Sequence, residues 1–245
     1  MVENPYDDAR VAELYDVLNS WGRSDDFYFP FILAAGAVLD VGCGTGSMLR
    51  WARDQGHTGR LVGVDPAGAM LDVARRNAPD IEWFHGDMTT VTFEPEFDLV
   101  FMTGHAFQEL IDDELLCGTL EGVHRALKPD GRFVFETRNP GARAWEQWTP
   151  EHAVSIDYPG GGTVHVVQEV EQPVQGDLVT FWTTSTVPGL DEPISKPSTL
   201  RFLDARSLDE YLTSAGFEIE ARYGDWDRRP LSEISPEIIC VARPV

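Results

Sequence analysis

VLDVGCGTG, residues 38–46, decides the reading of this chain. A short apolar run, Val38 to Val41, leads into Gly42, Gly44 and Gly46, and a segment of helical pattern follows from Ser47 to Gln55. Glycine at such a strand-to-helix turn permits a tight bend and lets backbone approach a ligand closely. The helix that follows offers unpaired N–H groups at its start. Asp40 stands two residues before Gly42. A carboxylate there repels a pyrophosphate and suits an ammonium group.

Outward from this turn, strand and helix alternate. LVGVD is a second strand that ends on Asp65, and Pro66 is expected to open a helix, where its missing N–H costs nothing. IEWFH, FDLVFMT and GRFVFET read as strands three to five. Leu116, Leu120, Val123 and Leu127 mark one helix face between the fourth and fifth. Asp112, Asp113 and Glu114 at its start and Lys128 near its end suit the helix dipole. The alternation predicts a doubly wound, mostly parallel α/β sheet with helices on both faces. After Arg138 the helical pattern fades, apart from a short stretch at Ala142–Trp148. TVHVVQEVE, LVTFWTTSTV and STLRFL read instead as strands. Residues 139–206 are therefore expected to form an inserted antiparallel β subdomain, because a structureless loop of that length is unusual in a compact domain. Ser207 with Glu210 reads as a capping box that reopens the α/β pattern, Gly216 as the residue that stops that helix, and two last strands follow, the final one antiparallel. Val11, Leu14, Tyr15 and Leu18 share a helix face ahead of an aromatic stretch. The expected organisation is a helical cap over 1–36, a Rossmann-like domain from 37–138 and 207–245, and the insertion.

The chain has 245 residues, 42% of them hydrophobic, and a net charge of −22. That field disfavours nucleic acid and anionic membranes as partners. Cys43, Cys117 and Cys240 form no CxxC pair, and the N-terminus shows no signal-peptide pattern, so a reduced, cytoplasmic setting without a cysteine metal site is expected. HExxH, P-loop and GxSxG patterns are absent.

Three turns follow the first three strands: the glycine turn, Asp65, and HGDMTT at 85–90. All lie on the edge where open α/β sheets bind ligands. Asp65 is placed to accept hydrogen bonds from ribose hydroxyls or to cap a helix. Asp87 is placed to accept an adenine amino group with Met88 against the ring, or simply to build a turn. In this set the sequence resembles the class I S-adenosylmethionine-dependent methyltransferases. VLDVGCGTG is similar to their first motif, VGVDPAGAML to their second and GDM to their adenine loop, over residues 37–138 and more weakly 207–243. The resemblance implies that Asp40, Gly42, Cys43, Gly44 and Gly46 surround the methionine part of S-adenosylmethionine and that Asp65, Pro66 and Met70 lie at the ribose side. It further implies that Asp87 and Met88 hold the adenine and that Thr103 lines the methyl end, with no metal. Methyl transfer to a nitrogen or oxygen of a small-molecule acceptor is the expected reaction, and it needs mainly orientation and exclusion of water. His105, after the fourth strand, is the candidate general base, with a pocket-wall role as the alternative. Arg138, Asn139, Trp182 and Trp226 are candidate acceptor contacts. Two other functions share these features: a cofactor-binding protein without catalysis, and an NAD-dependent oxidoreductase. Asp40, and Ser47 where the dinucleotide fingerprint has its third glycine, argue against the latter.

Overall fold

A computed structural model describes residues 4–245, so residues 1–3 of the expected cap lie outside it. Two helices open the chain, α1 (Ala9–Leu18) and α2 (Arg23–Ala34). There follow β1 (Ala37–Val41), α3 (Ser47–Asp54), β2 (Arg60–Asp65), α4 (Gly68–Asn77), β3 (Glu82–His85), β4 (Phe97–Met102), α5 (Asp113–Ala126) and β5 (Leu127–Arg138). Next come β6 (Val154–Asp157), β7 (Thr163–Val170), β8 (Leu178–Thr186) and β9 (Ile194–Arg201). The chain closes with α6 (Ala205–Ser214), β10 (Phe217–Tyr223) and β11 (Glu237–Pro244).

The large sheet has the order β10-β11-β5-β4-β1-β2-β3. β1 to β5 run parallel, and β11 pairs antiparallel with both β5 and β10. The order reverses between β1 and β4, which opens a crevice at the carboxyl ends of those strands. Both sheet faces are covered. Leu116, Leu120 and Val123 of α5 and Leu208 and Leu212 of α6 pack on one face, and Phe27, Tyr28 and Ile32 of α2 with Met48 and Leu49 of α3 on the other. Two-sided burial is why β1 and β4 do not alternate but read as apolar runs, broken only by Asp40 and Asp98.

β6 to β9 form a separate antiparallel sheet. Leu14 of α1 packs on its Val164, Val187 and Ile194. On the other side of the helix Ala12 packs with Met70 and Val73 of α4, so α1 is held between the small sheet and α4.

Several local expectations are corrected. α4 starts at Gly68, not Pro66: an Asp65 carboxylate oxygen accepts from Ala67 N–H at 2.8 Å, and Asp7, far back in the chain, accepts from Ala69 N–H at 3.1 Å. The Ser207–Glu210 capping box gives way to Asp204, whose side chain accepts from Ser207 N–H at 2.8 Å, so α6 begins three residues earlier. Ala142–Trp148 holds 3-10 turns rather than an α-helix. β9 begins at Ile194, before the expected STLRFL, and passes through Pro197. It is an edge strand, where a residue without an N–H is tolerated. β6 was not legible as a strand: three of its four residues are exposed. No helix among the described residues is long and apolar enough to cross a membrane.

Candidate active site

The carboxyl ends of β1, β2, β3 and β4 surround a cavity of about 470 Å³. Its floor is the glycine turn. Gly42 and Gly44 have φ of +75° and +53°, in the left-handed region. A Cβ on Gly42 would stand 2.8 Å from the Ala106 side chain, and one on Gly44 would project toward Tyr15. The turn therefore needs glycine for both its conformation and its clearance. Asp65 is 7% exposed and ties two turns together: one carboxylate oxygen accepts from Gly44 N–H at 2.7 Å, the other from Ala67 N–H. Burial pushes its carboxyl above the usual range, against the pull of those two backbone bonds. Pro66, Met70, Met88 and Thr103 also line the cavity.

Asp87 lines the same wall. One of its carboxylate oxygens accepts from the N–H groups and hydroxyls of Thr89 and Thr90. Burial works against its charge, but these bonds outweigh it and hold the carboxyl below the usual range. Its other oxygen carries none of these bonds.

Three residues expected around the methionine part do not reach the cavity wall. Asp40 is buried under the turn, with one carboxylate oxygen that has no protein partner. Burial, and then Asp65 and Glu136, push its carboxyl well up. Cys43 packs its thiol over Gly63, while its backbone N–H donates to Val64 O. Gly46 caps α3 against the Trp83 ring.

A second chamber, about 350 Å³, adjoins the first. α1 and the turn after β4 form one side, and alternate residues of β7, β8 and β9 the other, among them Gln168, Phe181, Thr183, Ser185 and Lys196. Period-two alternation puts Trp182, between Phe181 and Thr183, on the opposite face. There it is 42% exposed and donates to Glu171, so it is no chamber contact. Trp226 packs against Phe27 and Tyr28 under the large sheet. Asn139 donates to the carbonyls of Ser232 and Glu233 and accepts from Gly141 N–H, which makes it a loop clamp. Arg138 does line the chamber: it donates to Gln108 Oε1 at 3.0 Å and lies 5.3 Å over the Trp148 ring.

His105 lines the second chamber, with φ of +63°. Its backbone N–H donates to Glu136 at 2.8 Å, and Nε2 lies 3.1 Å from a Glu237 carboxylate oxygen. Glu136 also takes the Tyr28 hydroxyl. Burial first, then the Arg138 charge, lower the His105 pKa to about 4, and burial raises that of Glu237 to about 8. The imidazole is therefore neutral at pH 7, a weak base whose Nε2 is already engaged.

Sequence reasoning missed Tyr6, Tyr15 and Glu109. All three line both cavities. Tyr6 and Tyr15 precede the glycine turn by more than twenty residues, and Glu109 sits in a 3-10 turn, Ala106–Glu109, without a motif.

A family model described as a methyltransferase domain matches residues 38–131. The cypemycin N-terminal methyltransferase of a Streptomyces species is 31% identical over 185 residues, 72% of this chain and 73% of that protein. The dTDP-3-amino-3,6-dideoxy-alpha-D-glucopyranose N,N-dimethyltransferase of Streptomyces fradiae is 27% identical over 228 residues, 86% of this chain and 85% of that protein. A 2-phytyl-1,4-naphtoquinone methyltransferase of Thermosynechococcus vestitus is 33% identical over 57% of this chain, which spans 66% of that protein. Among solved structures, the CcbJ methyltransferase of Streptomyces caelestis superposes with a TM-score of 0.79 at 21% identity, over the full length of both chains. The glycine cradle and the carboxylate at the end of β2 fit S-adenosylmethionine, which brings a sulfonium and no pyrophosphate. With the relatives' similarity and this geometry together, the chain belongs to the S-adenosylmethionine-dependent methyltransferases of the class I, Rossmann-like family.

Proposed function

We propose that this methyltransferase acts on a small molecule held in the second chamber, and that the accepting atom is an amine nitrogen. The carrying observation is the pair of adjoining cavities: one with the cofactor-type turns, the other walled by the four-stranded sheet, joined along Tyr6, Tyr15 and Glu109. S-adenosylmethionine supplies a methyl group on a sulfonium, which a nitrogen lone pair takes while the carbon–sulfur electrons return to sulfur. The protein's share is to bring the nitrogen into line, keep water out and hold Tyr15 and Glu109 around the approach. In this reading Gly42, Gly44 and Asp65 hold the methionine and ribose parts, and Asp87 and Met88 the adenine.

Nitrogen is favoured over oxygen for two reasons. His105, the candidate base for a hydroxyl, is neutral, weakly basic and committed to Glu237. An amine that binds neutral needs no strong base. The amino-sugar N,N-dimethyltransferase also matches through 86% of this chain, against 57% for the quinone enzyme, so its likeness extends into the part that builds the chamber. Amino sugars and peptide N-termini are the first acceptors to test. Incubation of an amine and hydroxyl library with methyl-labelled cofactor should give N–CH₃ products by NMR. Turnover with O–CH₃ or C–CH₃ products alone would overturn the amine reading.

A further inference from the structure

Among the described residues that line both cavities, Glu109 is the one carboxylate. It extends from the 3-10 turn after β4, behind two successive left-handed residues, Gly104 (φ +66°) and His105 (φ +63°), that turn the chain back toward the crevice. The Tyr6 hydroxyl donates to its Oε1 at 3.5 Å, and Arg138, in the second chamber, is its cationic neighbour. Among the described residues, no hydrogen bond uses its second oxygen, Oε2. We propose that Glu109 is the ammonium site of this enzyme: it receives the protonated amine at the junction of the two cavities and takes its proton, R–NH₃⁺ and carboxylate becoming R–NH₂ and carboxylic acid, so that the nitrogen lone pair is free beside the methyl end.

The environment suits a proton acceptor for an amine. Burial, and secondarily the Asp65 charge, move Glu109 to a pKa of about 7, opposed by the Tyr6 hydrogen bond and Arg138. A carboxylate in its ordinary range is too weak a base to hold an amine's proton at neutral pH, whereas one near 7 is matched to the task. The charged and titratable groups that face it are Tyr6 from the N-terminal segment, Tyr15 from α1, Asp65 from β2 and Arg138 from β5. Both tyrosines are held neutral by burial and by neighbouring acids. Asp65 is committed to Gly44 and Ala67 and sits in the cofactor cavity alone. Glu109 is thus the group whose charge changes around neutral pH and which reaches the acceptor side.

This inference rests on the amine reading, but its test needs no acceptor. The probe is the cofactor analogue in which a carbon bearing an ammonium group replaces the methylsulfonium, compared with S-adenosylhomocysteine. Both share ribose, adenine and methionine contacts, so the ratio of their affinities isolates the ammonium. By calorimetry, the parent protein should prefer the ammonium analogue by about tenfold to a hundredfold, the range for a hydrogen bond to a charged group. That preference should grow as pH rises from 6 to 8, as Glu109 ionises. Glu109→Gln should remove the preference and its pH dependence while S-adenosylhomocysteine affinity stays within about twofold, which also certifies the fold. Glu109→Asp should restore part of it. A preference that survives in Glu109→Gln, or that is absent or flat with pH in the parent, overturns the inference. A product methylated on oxygen would instead overturn the amine reading and leave this measurement standing.

Discussion

Asp65 illustrates how one side chain at this site carries two tasks. Its carboxylate oxygens hold the N–H groups of Gly44 and Ala67, so the turn after β1 and the turn after β2 keep their spacing, and the same carboxylate lines the cofactor cavity. Asp65→Ala should therefore weaken S-adenosylhomocysteine binding by about 1–3 kcal/mol, the range for losing hydrogen bonds to a charged group. Gly44→Val goes further. It forces a β-branched residue to φ +53° and places methyl groups in the cavity. Calorimetry should show no cofactor binding by a variant that still unfolds cooperatively. Retained affinity within threefold would mean that the ligand does not approach this backbone. The residue types at these two positions were readable from sequence because their geometry is local: a turn needs its glycine wherever the rest of the chain goes. Glu109 was not readable, because its importance comes from Tyr6 and Arg138, which long stretches of chain separate from it.

At the scale of elements, one link between the two sheets is polar. Gln108, fully buried in the turn after β4, donates to Arg201 O of β9 at 3.0 Å and accepts from Arg138 of β5 at 3.0 Å. Gln108→Leu keeps the bulk but strands a carbonyl and a guanidinium, so it should lower unfolding free energy by about 1–3 kcal/mol, the cost of unsatisfied buried partners. Denaturant titration checks this, and an unchanged midpoint would mean that water replaces the amide. Phe181 offers a separate handle on the chamber. It projects from β8 beside Trp148 and is remote from the glycine turn. Phe181→Ala should raise KM for the acceptor while cofactor affinity holds within about twofold. Removing β7 and β8 altogether would not isolate the acceptor side. Pro197, Ser198 and Thr199 of β9 line the cofactor cavity, and Leu14 of α1 rests on Val164 and Val187, so the small sheet supports both cavities. The strands themselves were legible where one face is buried, as in TVHVVQEVE. They were not where that signal fails: β6 is mostly exposed, and Pro197 hid the first half of β9. Which face Trp182 takes depends on register, which the cross-strand pairing with Pro197 sets and the sequence of β8 alone does not.

Across the whole molecule, the His105–Glu237 contact joins the turn after β4 to the last strand, and it makes stability depend on pH in a stated direction. His105 has a folded pKa of about 4, below the ordinary value near 6.5. The folded state binds fewer protons than the unfolded chain between those values, so this group's contribution is lost as pH falls from about 6.5 to 4. Glu237 runs the other way. Its folded pKa of about 8 lies above the ordinary value near 4.3, so the folded state holds an extra proton in that window. Its contribution is present at acid pH and is lost as pH rises toward 8. Together they predict a plateau between about pH 4.3 and 6.5, where the two slopes cancel, and a decline from about pH 6.5 to 8. The net charge of −22 adds self-repulsion on the alkaline side, so the decisive measurement is the difference between parent and variant rather than the parent curve. Glu237→Gln keeps a hydrogen-bonding amide beside Nε2 and cannot ionise. It should match the parent near pH 4, and its advantage should grow between about pH 4.3 and 8 in denaturant titrations. His105→Gln should instead remove the opposing slope, so that its stability falls from about pH 4.3 while the parent stays level to about pH 6.5. Parallel curves for Glu237→Gln and parent at all pH values would show that the carboxyl ionises as readily in the folded protein as in the unfolded chain, and that the pair is not the neutral contact its burial implies.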